Sequence, residues 1–289
     1  MLDLKYLFRD HPADWNEPPE DIELRLESER GTMLTILQTP GGSGKHPLVL
    51  INHGFPGTDP LEDAANSFRR IGFAVLSYHY HGCFGSSGKY SLSGVLRDAK
   101  EMLAFCRNPE NQEKYGIDGE NILLFGQSLG GFVTLQTAAD CDFVRGAVAA
   151  APFDFGRMYK LSLKDPDKHA VLYRTVEDYL PWVNADKEEF FQELEREYEK
   201  FDVSSKAEDL AKRNIHIITG DRDPVAPADV HGKYIYDRIE EQGKGLASYQ
   251  TFPTSHVFPD CRCAMIGAAA GKLIEYAKKA ASEKTGCSR

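Results

Sequence analysis

No run of apolar residues in this sequence is long enough to cross a bilayer. The longest, such as 147–153, fall far short of the roughly 18 residues that a spanning helix needs, so no membrane partner is expected. No block of five or more lysines and arginines occurs either. The chain carries 34 Lys+Arg against 44 Asp+Glu, a formal net charge of −10, and therefore has no surplus of cations to displace the counterions of a nucleic acid. The first residues, Met1 to Tyr6, lack the apolar stretch of a signal peptide, and a cytoplasmic location is expected. Cysteine is scarce: six in 289 residues, scattered at positions 83, 106, 141, 261, 263 and 287. A chain of this length buries a core without covalent staples, so they read as reduced thiols. Cys261 and Cys263 form a lone Cys-x-Cys with no second pair to complete a zinc site, and neither a metal nor a cofactor is expected. What the chain does have is a globular composition, 42% apolar. A homodimer is compatible with it.

The apolar residues are arranged in two rhythms. Residues 22–27 and 33–38 alternate apolar with polar side chains around Gly31, which predicts an antiparallel hairpin with one wet face. Polarity then drops: 47–52 and 71–77 are short, nearly continuous apolar runs bounded by glycine, as expected of strands buried on both faces, with room for a crossover helix over 60–70. The alternation continues with helix 92–105, strand 121–125, helix 129–139, strand 144–150, strand 215–219, helix 229–241, strand 247–252 and helix 264–280. This predicts an α/β fold, a mostly parallel central sheet flanked by helices. In such sheets ligands bind beyond the carboxyl ends of the strands.

Residues 154–205 break the rhythm. They contain no convincing strand, several aromatics, and a charged helical stretch over 186–202 in which Phe191, Leu194 and Tyr198 fall on one face. The segment is too long for an ordinary loop and reads as a helical cap inserted into a core made of residues 1–153 and 206–289. Its aromatics Tyr159, Tyr173, Tyr179 and Trp182 are candidates for lining a substrate pocket by stacking, or for packing a small core of the cap's own. The cap acids Glu188, Glu189 and Glu193 could anchor a charged substrate terminus, or form a solvated helix face.

The strongest chemical signal is the run from Phe125 to Gly131, which contains Gly126-Gln127-Ser128-Leu129-Gly130, a Gly-x-Ser-x-Gly between a predicted strand and a predicted helix. A nucleophile on so sharp a turn needs small residues two positions before and two after it, where the backbone passes closely. Ser128 then sits at a helix N-terminus, where developing negative charge is favoured. A serine hydroxyl is a weak nucleophile and needs a base that is itself held by a third group. Of the nine histidines, His256 is best placed, between the last strand and the last helix. Asp223 and Asp221 both follow the strand 215–219 and compete for the third role.

These motifs resemble the serine hydrolases of the α/β-hydrolase fold, over about residues 22–280. The order Ser128, Asp223, His256 is the order that the fold uses. In this family the acid usually lies three residues after a glycine and four before a proline, which matches Gly220, Asp223 and Pro227 and selects Asp223 over Asp221. The resemblance further implies that the backbone N–H groups of Phe55, in His53-Gly54-Phe55-Pro56-Gly57, and of Leu129 receive the oxyanion, with His53 bracing the loop. In the loop from Tyr78 to Gly88, His81 stands where arginine is common, which leaves contacts around His81, Cys83 and Phe84 open; the absence of Gly-Lys-[Ser/Thr] there argues against a nucleotide. Serine at the elbow points to acyl transfer to water rather than the chemistry of relatives with Asp or Cys there. The expected activity is hydrolysis of a small-molecule carboxylic ester through an acyl-enzyme, of the feruloyl or cinnamoyl, or short-chain, type. Acylaminoacyl or dipeptidyl peptidase action, carbon–carbon bond hydrolysis by the same triad, and a non-catalytic binding role are the alternatives.

Overall fold

The computed structural model describes residues 2–11 and 16–286; Met1 and Cys287, considered above, lie outside the described residues. The elements follow in the order β1 (Glu20–Ser28), β2 (Gly31–Thr39), β3 (His46–Asn52), α1 (Glu62–Arg70), β4 (Ala74–Tyr78), α2 (Leu92–Arg107), α3 (Pro109–Tyr115), β5 (Ile117–Gln127), α4 (Leu129–Asp140) and β6 (Gly146–Ala150). After β6 come α5 (Phe155–Ser162), α6 (Pro166–Glu177), α7 (Lys187–Phe201), α8 (Ala207–Ala211), β7 (Ile215–Gly220), α9 (Gly232–Glu240), β8 (Ala247–Phe252) and α10 (Arg262–Gly286). The 8-stranded sheet has the order β1-β2-β4-β3-β5-β6-β7-β8. β2 pairs antiparallel with β1 and with β4, and every later pairing is parallel. This is the α/β architecture that the alternation predicts.

Side-chain alternation along the central strands divides the core in two. Leu48 and Leu50 of β3, Leu124 of β5 and Ile217 of β7 join one cluster with α2, α4 and α9, while Val49, Ile51, Leu123, Phe125 and Ile218 join the other with α1 and α10. Successive strand residues point to opposite faces, so a strand covered on both sides is apolar on both, as in 48–51 of β3, 122–125 of β5 and 147–150 of β6, where every residue is apolar and fully buried. The outer hairpin keeps one wetter face, alternating exposed and half-buried residues along β1.

Between β6 and β7 the chain inserts α5, α6 and α7. Each helix begins on an aspartate whose side chain accepts a backbone N–H of the first turn: Asp154, Asp165 and Asp186. Short acceptors satisfy donors that the helix itself cannot. Asp154 does more. Its Oδ1 accepts from Arg157 N at 3.0 Å and its Oδ2 from Val203 N at 3.1 Å, so one buried carboxyl ties the start of the insertion to its end. On the far side, the Glu193 carboxylate of α7 accepts from Leu92 N (2.8 Å) and Ser93 N (3.1 Å) at the N-terminus of α2, where a negative charge is favoured. The buried side of α7 is wider than the stripe expected from the sequence: Phe190, Leu194 and Phe201 are buried, and Phe191 lies half-buried against Tyr173.

Candidate active site

The elbow is built by close approach. Ser128 has φ 60° and ψ −122°, a conformation that leaves β5 and enters α4 within one residue. A Cβ on Gly126 would lie 2.2 Å from Gly130 O, and one on Gly130 would lie 1.8 Å from Asn52 O. Both contacts are impossible, which is why the residues two before and two after the serine carry no side chain. Ser128 N donates to Ala150 O (2.9 Å), and its carbonyl accepts from Phe153 N (3.1 Å), pinning the turn to the end of β6.

The loops after β7 and β8 bring the other two residues to it. His256 Nε2 lies 2.9 Å from Ser128 Oγ, and His256 Nδ1 lies 2.7 Å from Asp223 Oδ2. Asp223 Oδ1 accepts from the amides of Val225 (2.9 Å) and Ala226 (2.8 Å), so the carboxylate is held at both oxygens. Burial pushes its pKa up, but the hydrogen bond and charge of His256 and the two amides outweigh this and hold it below the ordinary carboxylate range. An ionised carboxylate only accepts, so the proton between the pair sits on Nδ1 and Nε2 faces the serine hydroxyl as an acceptor. Asp221 is half-exposed and engaged by Arg222 instead. Gln127, which the sequence did not single out, braces the base: its Nε2 donates to His256 O (3.2 Å) and its Oε1 accepts from Arg262 (2.8 Å).

These groups open on a cavity of about 360 Å³ lined by Gly54, Phe55, Ser128, Leu129 and His256 at one end and by Phe153, Phe155, Val176, Tyr179 and Val225 along the walls. Phe55 and Leu129, the expected oxyanion donors, are both among the lining residues. Leu129 is the first residue of α4, and its N–H has no acceptor within the helix. His53 is buried with Nδ1 2.7 Å from Gly54 O, and burial drives its pKa down to about 3, so it remains neutral and braces the loop.

Of the four cap aromatics, Tyr179 lines the cavity. The other three lie elsewhere, because the insertion packs its aromatics on one another. Tyr159 meets Tyr198 at 5.3 Å, Tyr173 is stacked between His169 (4.1 Å) and Phe191 (4.0 Å), and Trp182 is 59% exposed outside the lining. Arg174, Thr175 and Asp178 reach the cavity instead. No sequence pattern marked them, since which face of α6 looks inward depends on how the insertion docks.

Residues of the 78–88 loop lie outside this cavity. His81 forms a buried arrangement of the same connectivity as the first: Nδ1 at 2.7 Å from Asp98 Oδ1 and Nε2 at 3.1 Å from Ser28 Oγ. Ser28 Oγ accepts from Arg30 N, and the Arg30 guanidinium donates to Asp98 and Glu101. This set ties the β1–β2 turn to α2. Ligand atoms of His81, Asp98 and Glu101 lie within 4.8 Å of one another, but Arg30 already supplies the positive charge among them.

A family model described as the alpha/beta hydrolase family matches residues 48–268. The chain belongs to that family. Among relatives of this hydrolase chain, a 31.7 kDa protein of the traX-finO intergenic region of Escherichia coli is 26% identical over 248 residues, 75% of this chain and 85% of that one. Among solved structures, the esterase PF2001 of Pyrococcus furiosus superposes with a TM-score of 0.63 at 14% identity, covering 92% of this chain and 96% of that one. A putative dipeptidyl aminopeptidase IV from Bacteroides ovatus gives 0.69 at 14% identity, over 92% of this chain and 37% of that one. At such identities these likenesses establish the α/β-hydrolase fold. No helix among the described residues is long and apolar enough to cross a membrane.

Proposed function

We propose that the protein is a serine ester hydrolase, in which Ser128 is the nucleophile, His256 the base and Asp223 the residue that orients the base. The observation that carries this reading is the unbroken hydrogen-bond chain from Asp223 through His256 to Ser128, opening into an aromatic-walled cavity. The Ser128 oxygen adds to the ester carbonyl carbon as its proton passes to His256 Nε2. The oxyanion is received by the N–H groups of Phe55 and Leu129, each worth about 2.7–4 kcal/mol of transition-state stabilisation in comparable sites. Collapse breaks the carbonyl carbon–alkoxy oxygen bond, His256 gives its proton to the departing alcohol, and the acyl group stays on Ser128. Water, deprotonated by His256, then adds to the acyl-enzyme, and the acid leaves as the serine recovers its proton.

The walls favour aromatic or short acyl groups: Phe55, Phe153, Phe155 and Tyr179 line a cavity of about 360 Å³. The insertion acts as a cap through α6, which contributes Val176 to that wall. Peptidase action would need an anchor for a charged terminus. Of the acids first considered for it, Glu189 pairs with Lys89 and Glu193 with the N-terminus of α2, and Arg174 and Asp178, which do line the cavity, face each other at 3.9 Å, which puts esters ahead of peptides.

The test is hydrolysis of aryl esters from acetate to butyrate, with methyl ferulate included, by the wild-type protein and by Ser128→Ala. Turnover that disappears in the variant is expected. Absence of turnover on every ester, with cleavage of peptides or diketones instead, overturns the ester reading.

A further inference from the structure

One guanidinium joins the nucleophile elbow to the segment that follows β3. Arg262 opens α10, shortly after His256. Its Nε and Nη2 donate to the two oxygens of Asp63 (2.7 and 2.8 Å), Nη2 also to Asp59 Oδ2 (3.2 Å), and Nη1 to Gln127 Oε1 (2.8 Å). Asp63 belongs to the first turn of α1. Asp59 stands between Phe55 and that helix, and its other oxygen accepts from Leu61 N (2.9 Å). The two carboxylates are 57% and 48% exposed, against 19% for the arginine. Ion pairs as open as these add little to stability. Their consequence is geometric: the acids fix the plane of the guanidinium with Nη1 directed at the elbow.

The chemistry of the donors then orders the elbow. Arginine only donates, so the Gln127 amide turns its oxygen to Nη1, which leaves Nε2 to donate to His256 O (3.2 Å). Turned the other way, the amide would set N–H against N–H and oxygen against oxygen. Gln127 is only 4% exposed, so solvent offers it little alternative. The chain of contacts runs from two acids through Arg262 and Gln127, and ends on the backbone of the base rather than on a reacting atom.

We propose that Arg262 is a positioning residue for the hydrolysis, which sets the His256 ring against Ser128 by orienting the Gln127 amide. The inference rests on the catalytic roles of Ser128 and His256, and it holds whether or not the substrate is an ester. Lysine cannot replace Arg262, because an ammonium is a point charge without the planar fork that reaches Asp63 and Gln127 at once.

The experiment follows phosphonylation of Ser128 by an aryl fluorophosphonate, in which the serine oxygen bonds to phosphorus, fluoride leaves and His256 takes the hydroxyl proton. Rates are measured against reagent concentration for the wild type, Arg262→Lys, Gln127→Ala and the double variant, at a temperature where circular dichroism shows each folded. Each single variant is expected to lose about tenfold in the maximal rate, because the base is displaced. The half-saturating concentration for Arg262→Lys is expected to change by less than about twofold, since Arg262 is not among the residues lining the cavity. The double variant is expected to fall no further, as both changes break one chain of contacts. Should Arg262→Lys not fold, Asp63→Asn, which loosens the guanidinium, takes its place in the same cycle. A maximal rate within about twofold of the wild type in Arg262→Lys, or losses that multiply to about a hundredfold in the double variant, would overturn the proposal. Wild-type protein unlabelled at Ser128 would overturn it together with the catalytic assignment. Ester turnover is measured alongside, and its absence from a labelled wild type counts against the ester reading while the labelling rates still decide this one.

Discussion

The reactivity proposed for Ser128 depends on groups that would be ordinary apart. The hydroxyl is unremarkable until Nε2 of His256 is turned toward it, and that ring is held by a carboxylate whose second oxygen is already occupied by two amides. Asp223→Asn keeps the shape of the side chain but allows the imidazole to hold its proton on the wrong nitrogen. It is expected to lower kcat on an aryl ester by about 10⁴-fold, as in other Ser-His-Asp enzymes. Asp221→Asn, at a half-exposed carboxylate that faces Arg222, is expected to leave the rate near that of the wild type. Steady-state kinetics of the two variants decide between the acids; a large loss in Asp221→Asn with little in Asp223→Asn would reverse the assignment. His53 is no substitute base, since burial holds its pKa near 3.

Elements position these residues, and glycine shows how strictly. Gly130 and Gly271 both lie in helices, yet a Cβ on Gly130 would overlap Asn52 O, whereas one on Gly271 would meet nothing within 4 Å. Gly271→Ala is expected to stabilise the protein by about 0.5–1 kcal/mol through helix propensity, and Gly130→Ala to destabilise it severely; thermal melting of both checks this, and equal effects would contradict it. Asp154, at the base of the insertion, gives a pH-dependent counterpart. Burial first, then the charge of Asp202, push its pKa up to about 8, against the amides of Arg157 and Val203. A carboxyl whose folded pKa exceeds its unfolded value holds its proton more tightly when folded, so its contribution to stability falls as pH rises from about 4 to 8. Asp154→Asn cannot titrate, and its melting temperature is expected to lack that decline; parallel curves for the two proteins would show that Asp154 is not the source.

The same scale explains which features could be read in advance. Ser128, Asp223 and His256 were legible because each follows a strand of unmistakable pattern, and the elbow spacing follows from backbone contact alone. Helix α3 was missed although its signals are local: Asn108 caps it, Pro109 opens it, and Gly116 closes it in the left-handed region with φ 63°. In consequence β5 begins at Ile117, earlier than the apolar run at 121 suggested. The start of β4 at Ala74 is set by Gly72, whose φ of 108° turns the chain out of α1 before the strand can form. Arg174 and Asp178 at the cavity could not be read at all, because the inward face of α6 depends on contacts made by residues far away in sequence.

At the scale of the whole molecule, the sheet acts as the frame and the loops beyond its carboxyl ends carry the chemistry. Strands β3, β5, β6, β7 and β8 run parallel, so the segments holding Phe55, Ser128, Phe153, Asp223 and His256 emerge together at one edge, and the insertion after β6 closes over them. The net charge of −10 gives the molecule as a whole no general attraction for anions. The central claim is that Ser128 is an activated nucleophile, and covalent labelling tests it most directly. Intact protein treated with an aryl fluorophosphonate, followed by peptide mass spectrometry, is expected to carry a single adduct on Ser128, absent from Ser128→Ala and strongly slowed in His256→Ala. An unmodified protein, or an adduct on another residue, would contradict the account.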